Sequence, residues 1–129
     1  MYPDEYRYSK EHEWIKIDGD HGKVGITDFA QQQLGDVVFV ELPEAGSSFS
    51  AAEVFGNIES VKAVSELFLP VSGEIVEVNQ AAVDSPELIN KDPHGEAWLV
   101  VVKLTNPAEL EGMLSVEDYQ KYVEEEAGN

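Results

Sequence analysis

The 129-residue chain contains no cysteine. That excludes disulfides, cysteine-based zinc sites and a thiol nucleophile, and it assigns any redox chemistry to a cofactor rather than to side chains. Basic residues are scarce: 8 Lys and Arg stand against 26 Asp and Glu, a formal net charge of −18. Phosphate backbones and anionic lipid surfaces repel such a chain, so neither nucleic acid nor membrane is expected as a partner. The charge favours solubility and docking onto basic patches of other proteins. No apolar run approaches the ~20 residues of a membrane span. Met1-Tyr2-Pro3-Asp4-Glu5 lacks the apolar core of a signal peptide and the Arg-rich face of a transit peptide. A cytoplasmic, bacterial-type protein is expected, with the mitochondrial matrix an option only for a processed chain.

Catalytic and metal signatures are also missing. There is no Gly-x-Ser-x-Gly elbow and no Gly-x-x-x-x-Gly-Lys phosphate loop. In Glu11-His12-Glu13 a strand sets the imidazole opposite the two carboxylates, which disfavours a metal cluster. His21 and His94 fall in turns without evident ligand partners, and no carboxylate spacing selects an acid–base pair. No catalytic residue and no metal site is expected.

Apolar residues make up 43% and charged residues 26%, the balance of a globular domain, and the length suits one domain. Glu11 to Ile17 alternates as a strand, Asp18 to Gly22 is a turn, and Lys23 to Ile26 returns. Thr27 is placed to cap a short helix, with Asp28 at its positive end and Gly35 as a left-handed stop. Strands follow at Val37–Leu42 and Glu74–Val78. Asp84 or Ser85 should cap a helical turn with Pro86 at its first position, and Asn90 to Gly95 reads as a loop. Ala97 to Leu104 is the most apolar strand. Asn106 and Ser115 open two closing helical pieces, the second burying Val116, Tyr119 and Val123. Glu124-Glu125-Glu126 sits at the unfavourable end of a helix dipole, so a frayed end is expected.

The stretch that organises the chain is Gly56-Asn57-Ile58-Glu59-Ser60-Val61-Lys62-Ala63-Val64-Ser65-Glu66-Leu67-Phe68-Leu69-Pro70. Val54, Gly56, Ile58 and Ser60 alternate with Phe55, Asn57, Glu59 and Val61, and a second alternation sets Ala63, Ser65, Leu67 and Leu69 against Val64, Glu66 and Phe68. Two strands folded at Lys62 would put its amine in water. The turn lacks Asn-Gly or Asp-Gly, and Ile58, Val61, Val64 and Phe68 also fit a helical stripe. Periodicity leaves hairpin and helix open. On either side, Gly35-Asp36-Val37-Val38-Phe39-Val40 and Gly73-Glu74-Ile75-Val76-Glu77-Val78 share a pattern that suggests two related half-units. Leu42-Pro43-Glu44-Ala45-Gly46 and Leu69-Pro70-Val71-Ser72-Gly73 offer a rival offset.

Ile58-Glu59-Ser60-Val61-Lys62-Ala63-Val64-Ser65-Glu66-Leu67 resembles the lipoyl-lysine segment of the H proteins of the glycine cleavage system. The resemblance extends through Glu11-His12-Glu13-Trp14, Gly25-Ile26-Thr27-Asp28, Leu34-Gly35-Asp36, Val40-Glu41-Leu42-Pro43 and Asp84-Ser85-Pro86-Glu87-Leu88-Ile89-Asn90. It implies a mainly β fold, a flattened β-sandwich or barrel of the lipoyl/biotinyl-carrier type. The carrier lysine sits at a hairpin tip, with short peripheral helices including a C-terminal one. One lipoyl-carrier domain over residues 1–129 is implied, its core at about 24–104 and its C-terminal helical segment at about 106–126.

By the same resemblance Lys62 carries lipoic acid as an amide, and Glu59 and Gly46 match positions that help the modifying enzyme recognise its target. The implied role is a non-catalytic, monomeric carrier that shuttles the aminomethyl group of glycine. Its partners are a pyridoxal-phosphate glycine decarboxylase, a tetrahydrofolate-dependent aminomethyltransferase and dihydrolipoyl dehydrogenase, with a lipoyl ligase or lipoyl/octanoyl transferase loading the lysine. Alternatives are a lipoyl relay or regulatory module that donates lipoyl groups to other acceptors, and a biotin carrier. Val61 and Ala63 argue against the last, since biotin carriers usually flank the lysine with Met. A stand-alone acidic hydrolase has no supporting constellation. Phe29, where the family more often has His or Tyr, and Ala97, where Gly commonly precedes the Trp, depart from the pattern and are expected to reshape the cleft that receives the arm.

Overall fold

The structure is a computed structural model that describes residues 2–128, with side chains through Glu126. Among the described residues nine strands form two antiparallel sheets. The larger has the order β1 (Arg7–Tyr8), β2 (Glu13–Asp18), β3 (His21–Ile26), β9 (Val100–Leu104), β8 (Gly73–Val78), β5 (Ser48–Phe49). The smaller has the order β4 (Val37–Glu41), β6 (Val54–Ser60), β7 (Val64–Phe68). Alternate side chains of each sheet meet in one core: Ile15, Val24, Val102 and Ile75 from the larger, Val37, Val40, Ile58 and Leu67 from the smaller. This is the mainly β sandwich that the resemblance implies.

Helices cover the margins: α1 (Asp28–Leu34), α2 (Gln80–Asp84), α3 (Leu88–Lys91), a 3-10 helix at Pro107–Gly112, and α4 (Val116–Gly128). A second, aromatic cluster seals the ends of the chain. Tyr8 stacks on Tyr119 at 4.8 Å between ring centroids, beside Tyr6, Trp14 and Val116.

The two half-units are visible in the ladders. β4 has an extra residue at Val38 opposite β6, and β8 has one at Val76 opposite β9. These positions are equivalent in the Gly-acid alignment. A bulge turns one additional side chain outward, and Val38 and Val76 are both exposed. Matching bulges favour that offset over the Leu-Pro one.

Several boundaries differ from expectation. Phe55 is a third bulge, between Val54 and Gly56, so Phe55 is buried and Val54 exposed; simple alternation through β6 fails there. β3 begins at His21, and the turn is only Gly19-Asp20. β9 begins at Val100, because Ala97 closes a turn on Asp92 and Trp98 on Gly95. Gly35 has positive φ, 79°, but ψ −153° takes it out of the left-handed helical region. Asp84 ends α2, a helix not anticipated, and Ser85 contributes its carbonyl rather than its hydroxyl, to the Leu88 N–H. Asn90 belongs to α3 rather than to a loop, and Asn106 makes no side-chain cap. Ser115 Oγ does accept from the Asp118 N–H at 3.2 Å. The backbone of α4 continues through Glu124-Glu125-Glu126, where Glu126 meets His12; the side chains of residues 127–129, the last residues for which fraying is expected, lie outside the described part.

Candidate functional site

Lys62 stands at the tip of the β6–β7 hairpin, exposed, between Val61 at 70% and Val64 at 68% exposure. Ser60 makes the turn that lacks an Asn-Gly. Its hydroxyl oxygen accepts from the N–H groups of Lys62 (3.3 Å) and Ala63 (3.0 Å), and its own N–H donates to the Ala63 carbonyl at 2.8 Å. A serine opening a tight turn this way replaces the missing glycine chemistry.

The tip is braced from outside. The Val61 N–H donates to the Asp36 carbonyl at 3.0 Å, and the Lys62 stem lies over Gly35. A Cβ at Gly35 would sit 3.4 Å from Lys62 Cε, so the bare glycine leaves the lysine room as well as permitting φ 79°. Asn90 fixes that support. Its Nδ2 donates to the Gly35 carbonyl and to Gln31 Oε1, and its Oδ1 accepts from the Val37 N–H. Nothing local in the sequence marks Asn90 for this role, since its partners lie 53 to 59 residues away. Among the described residues the Lys62 amine makes no hydrogen bond or ion pair. The result is a held turn carrying a free, extended amine, which suits attachment of a long acyl arm.

Beside the hairpin runs a cleft of about 640 Å³, bounded on one side by β7 and on the other by Glu11, His12, Glu13, Phe29 and Glu126. Glu13 is 2% exposed. It accepts from Ser9 Oγ at 2.9 Å and from the Phe68 N–H at 3.2 Å. Burial pushes its carboxyl up to about 8, the two hydrogen bonds opposing and the Glu11 charge adding to the shift. His12, at φ 68°, bonds Tyr119 OH through Nδ1 at 2.9 Å and Glu126 through Nε2 at 3.0 Å. Glu11 and His12 thus lie in a turn before β2, and only Glu13 belongs to the strand. Among the described residues no group of three or more acids and histidines is arranged to hold a metal. His94 does have a partner: its Nε2 accepts the Asp28 N–H at the start of α1.

The raised Glu13 pKa makes a stability prediction. The folded state holds that proton more tightly than the unfolded chain, so stability should fall as pH rises from about 4.5 to about 8. Glu13→Gln removes the titration while keeping an acceptor for Phe68. The stability of the native protein relative to Glu13→Gln should therefore decline across that window, by about 1.4 kcal/mol for each unit separating the two pKa values. Urea unfolding at pH 5, 6.5 and 8 measures it, and parallel profiles for the two proteins would refute the buried proton.

The remaining positions disperse. Glu59 is half-buried in β6, with Phe39 and Val64 as its cross-strand neighbours. Gly46 takes φ 98° and donates its N–H to the Ile75 carbonyl of β8, in the other sheet. A groove of about 680 Å³ has Phe39 and Ala45 in its lining, the neighbours of Glu59 and Gly46 respectively. Phe29 does line the cleft, its ring tilted against that of His12 with centroids 4.8 Å apart. Ala97 does not; it is buried in the main core, which corrects the expectation that it shapes the cleft.

Comparison with known proteins gives a consistent result. The family model described as glycine cleavage H-protein matches residues 6–126. The glycine cleavage system H protein of Carboxydothermus hydrogenoformans is 56% identical over 126 residues, covering 98% of this chain and 97% of that one. The H protein of Herpetosiphon aurantiacus is 55% identical over 125 residues, covering 97% and 95%. The crystal structure of a glycine cleavage system H protein from Mycobacterium marinum superposes with a TM-score of 0.85 at 44% identity, covering 99% of this chain and 100% of that one. A matched sequence from end to end, the shared sandwich and the braced lysine hairpin lead to one assignment: this chain belongs to the glycine cleavage H-protein family.

Proposed function

We propose that this protein is the lipoyl carrier of a glycine cleavage system and that Lys62 is its single attachment site. The observation that carries the reading is the hairpin tip, where a serine-closed turn, braced on Asp36, holds an exposed amine with no partner of its own. The amine is the nucleophile in acylation: its nitrogen bonds the lipoyl carbonyl carbon, the activating group leaves, and a proton is lost. The attached dithiolane supplies the chemistry, accepting the aminomethyl group of glycine with two reducing equivalents and later being reoxidised. The protein itself is a substrate of its partners and not a catalyst.

The chain's own residues hold and shelter the arm. The cleft bounded by β7, Phe29 and Glu13 offers an apolar floor in Ile26, Leu34 and Ile58 and a carboxyl at its edge. A cationic group brought beside Glu13 would favour the ionised carboxylate and so displace its proton. Glu59 and Gly46 serve recognition by the lipoyl ligase or transferase, Glu59 from the strand that leads to Lys62. The partners follow from the carrier role: the pyridoxal-phosphate decarboxylase, the tetrahydrofolate-dependent aminomethyltransferase and dihydrolipoyl dehydrogenase. We place the protein in the cytoplasm as a monomeric single domain, with residues about 24–104 as lipoyl core and about 106–126 closing it. Among the described residues no helix is long and apolar enough to cross a membrane.

Incubation with a lipoyl ligase, lipoate and ATP, followed by intact mass and peptide mapping, tests the assignment. One lipoyl group on Lys62 is expected. Modification of another lysine, or none, would overturn it.

A further inference from the structure

The hydrogen-bond parity of the hairpin leaves one rank of main-chain groups unspent. Ser60 donates to the Ala63 carbonyl, and Ser65 and Leu67 pair inward with Ile58 and Gly56. Main-chain groups in an antiparallel strand alternate in direction, so those of Val64, Glu66 and Phe68 point away from β6. β7 is the edge of its sheet, and this rank faces the 640 Å³ cleft. The Phe68 N–H is taken by Glu13. Among the described residues, those of Val64 and Glu66 meet no protein partner. Such an edge is a template for another strand unless it is blocked, and β7 carries no proline, no lysine and no covering element at these positions.

We propose that β7 is the docking edge for the lipoyl ligase: an extended segment of that enzyme bearing Lys or Arg pairs its main chain with Val64 and Glu66. Two features favour this occupant. The cleft wall carries Glu11, Glu66 and Glu126, which calls for basic side chains on the incoming strand. The ligase also meets the chain before any arm exists, when nothing of the chain's own competes for the cleft. Pairing there would align the braced tip, and the Lys62 amine with it, through main-chain groups rather than side chains. It follows that a strand seated on β7 and an arm lying in the cleft exclude each other, so completed transfer would favour release of the ligase. The inference rests on Lys62 as the attachment site and adds how the modifying enzyme grips it.

Hydrogen–deuterium exchange on the unlipoylated protein, alone and with a lipoyl ligase bound, reads the pairing. The amides of residues 64 and 66 should become protected on complex formation. Glu66→Pro removes one outward N–H at an edge position where proline is tolerated, and it should lower kcat/KM for lipoylation about tenfold or more. Glu66→Gln, which keeps the N–H but removes one of the carboxylates facing the basic strand, should lose clearly less, about threefold, the scale of a surface charge change. Circular dichroism checks the fold of each variant, and if Glu66→Pro does not fold, the exchange result on the native chain decides alone. Unprotected amides, a wild-type rate for Glu66→Pro, or equal losses in both variants would overturn the proposal. A native chain lipoylated at Lys62 with amides 64 and 66 still exchanging freely would reject the docking edge alone, whereas failure to lipoylate Lys62 at all would reject the carrier reading beneath it.

Discussion

Lys62→Arg is expected to abolish glycine cleavage in a reconstituted system while leaving the fold in place. The guanidinium keeps the positive charge and an aliphatic stem over Gly35, but arginine cannot form the lipoyl amide and stays protonated in proteins. The turn around it is held by Ser60 and by Asp36 through main-chain groups that the substitution does not touch. Urea unfolding should therefore agree with the native protein within about 0.5 kcal/mol, the range of a surface substitution. Turnover should fall to the background seen without carrier. Measurable glycine turnover by the arginine variant would mean that Lys62 is not where the arm is attached. Loss of both turnover and stability would mean that the lysine is structural.

The largest effect on stability should come from Trp14→Ala. Trp14 has no exposed surface, and its indole N–H donates to the carbonyls of Ile26 and Pro93, each at 2.9 Å. The ring packs against Tyr6 with centroids 4.7 Å apart and so joins the aromatic cluster to the turn before β9. Truncating a buried tryptophan costs about 3–5 kcal/mol, and two carbonyls lose their shared donor besides. Against a typical total of about 5–15 kcal/mol, the variant would be close to unfolding. Trp14→Phe retains most of the packing and loses only the donor, so its cost should be intermediate. Chemical denaturation of the three proteins checks the order. A loss under about 1.5 kcal/mol for Trp14→Ala would show that the site collapses around the cavity or that the cluster contributes little.

How much of this was legible depended on whether the physics was local. Thr27 as an N-cap could be read from the residues beside it, and its hydroxyl does accept from the Ala30 N–H. The hairpin could be read only by resemblance, because its period fits a helix too; the deciding contact, Ser60 to Ala63, spans three residues and uses no glycine. The bulges at Val38, Phe55 and Val76 shift the alternation by one residue, so a strict period of two placed Phe55 on the wrong face. Asn90 was invisible because its partners belong to α1 and β4, elements that come near it only in the finished fold. Strand propensity drew β9 back to Ala97, whereas main-chain bonds within the 92–98 turn hold that segment out of the sheet.

The aromatic seal between the chain ends has a consequence in time. His12 and Tyr119, joined at 2.9 Å, are 107 residues apart, and Tyr8 and Leu114 exchange main-chain hydrogen bonds across a similar distance. The β6–β7 hairpin, by contrast, closes between near neighbours and belongs to the class of events that takes about 1–10 μs. A ribosome delivers the amino terminus first, so Tyr8 and His12 must wait for Tyr119 until α4 emerges. Closing so long a loop adds little free energy beyond closing one half as long, but pairings of such separation place folding in the millisecond-to-second range. Newborn chains would thus display a finished lysine tip before they are sealed, and the modifying enzyme could meet its substrate while the last helix is still arriving.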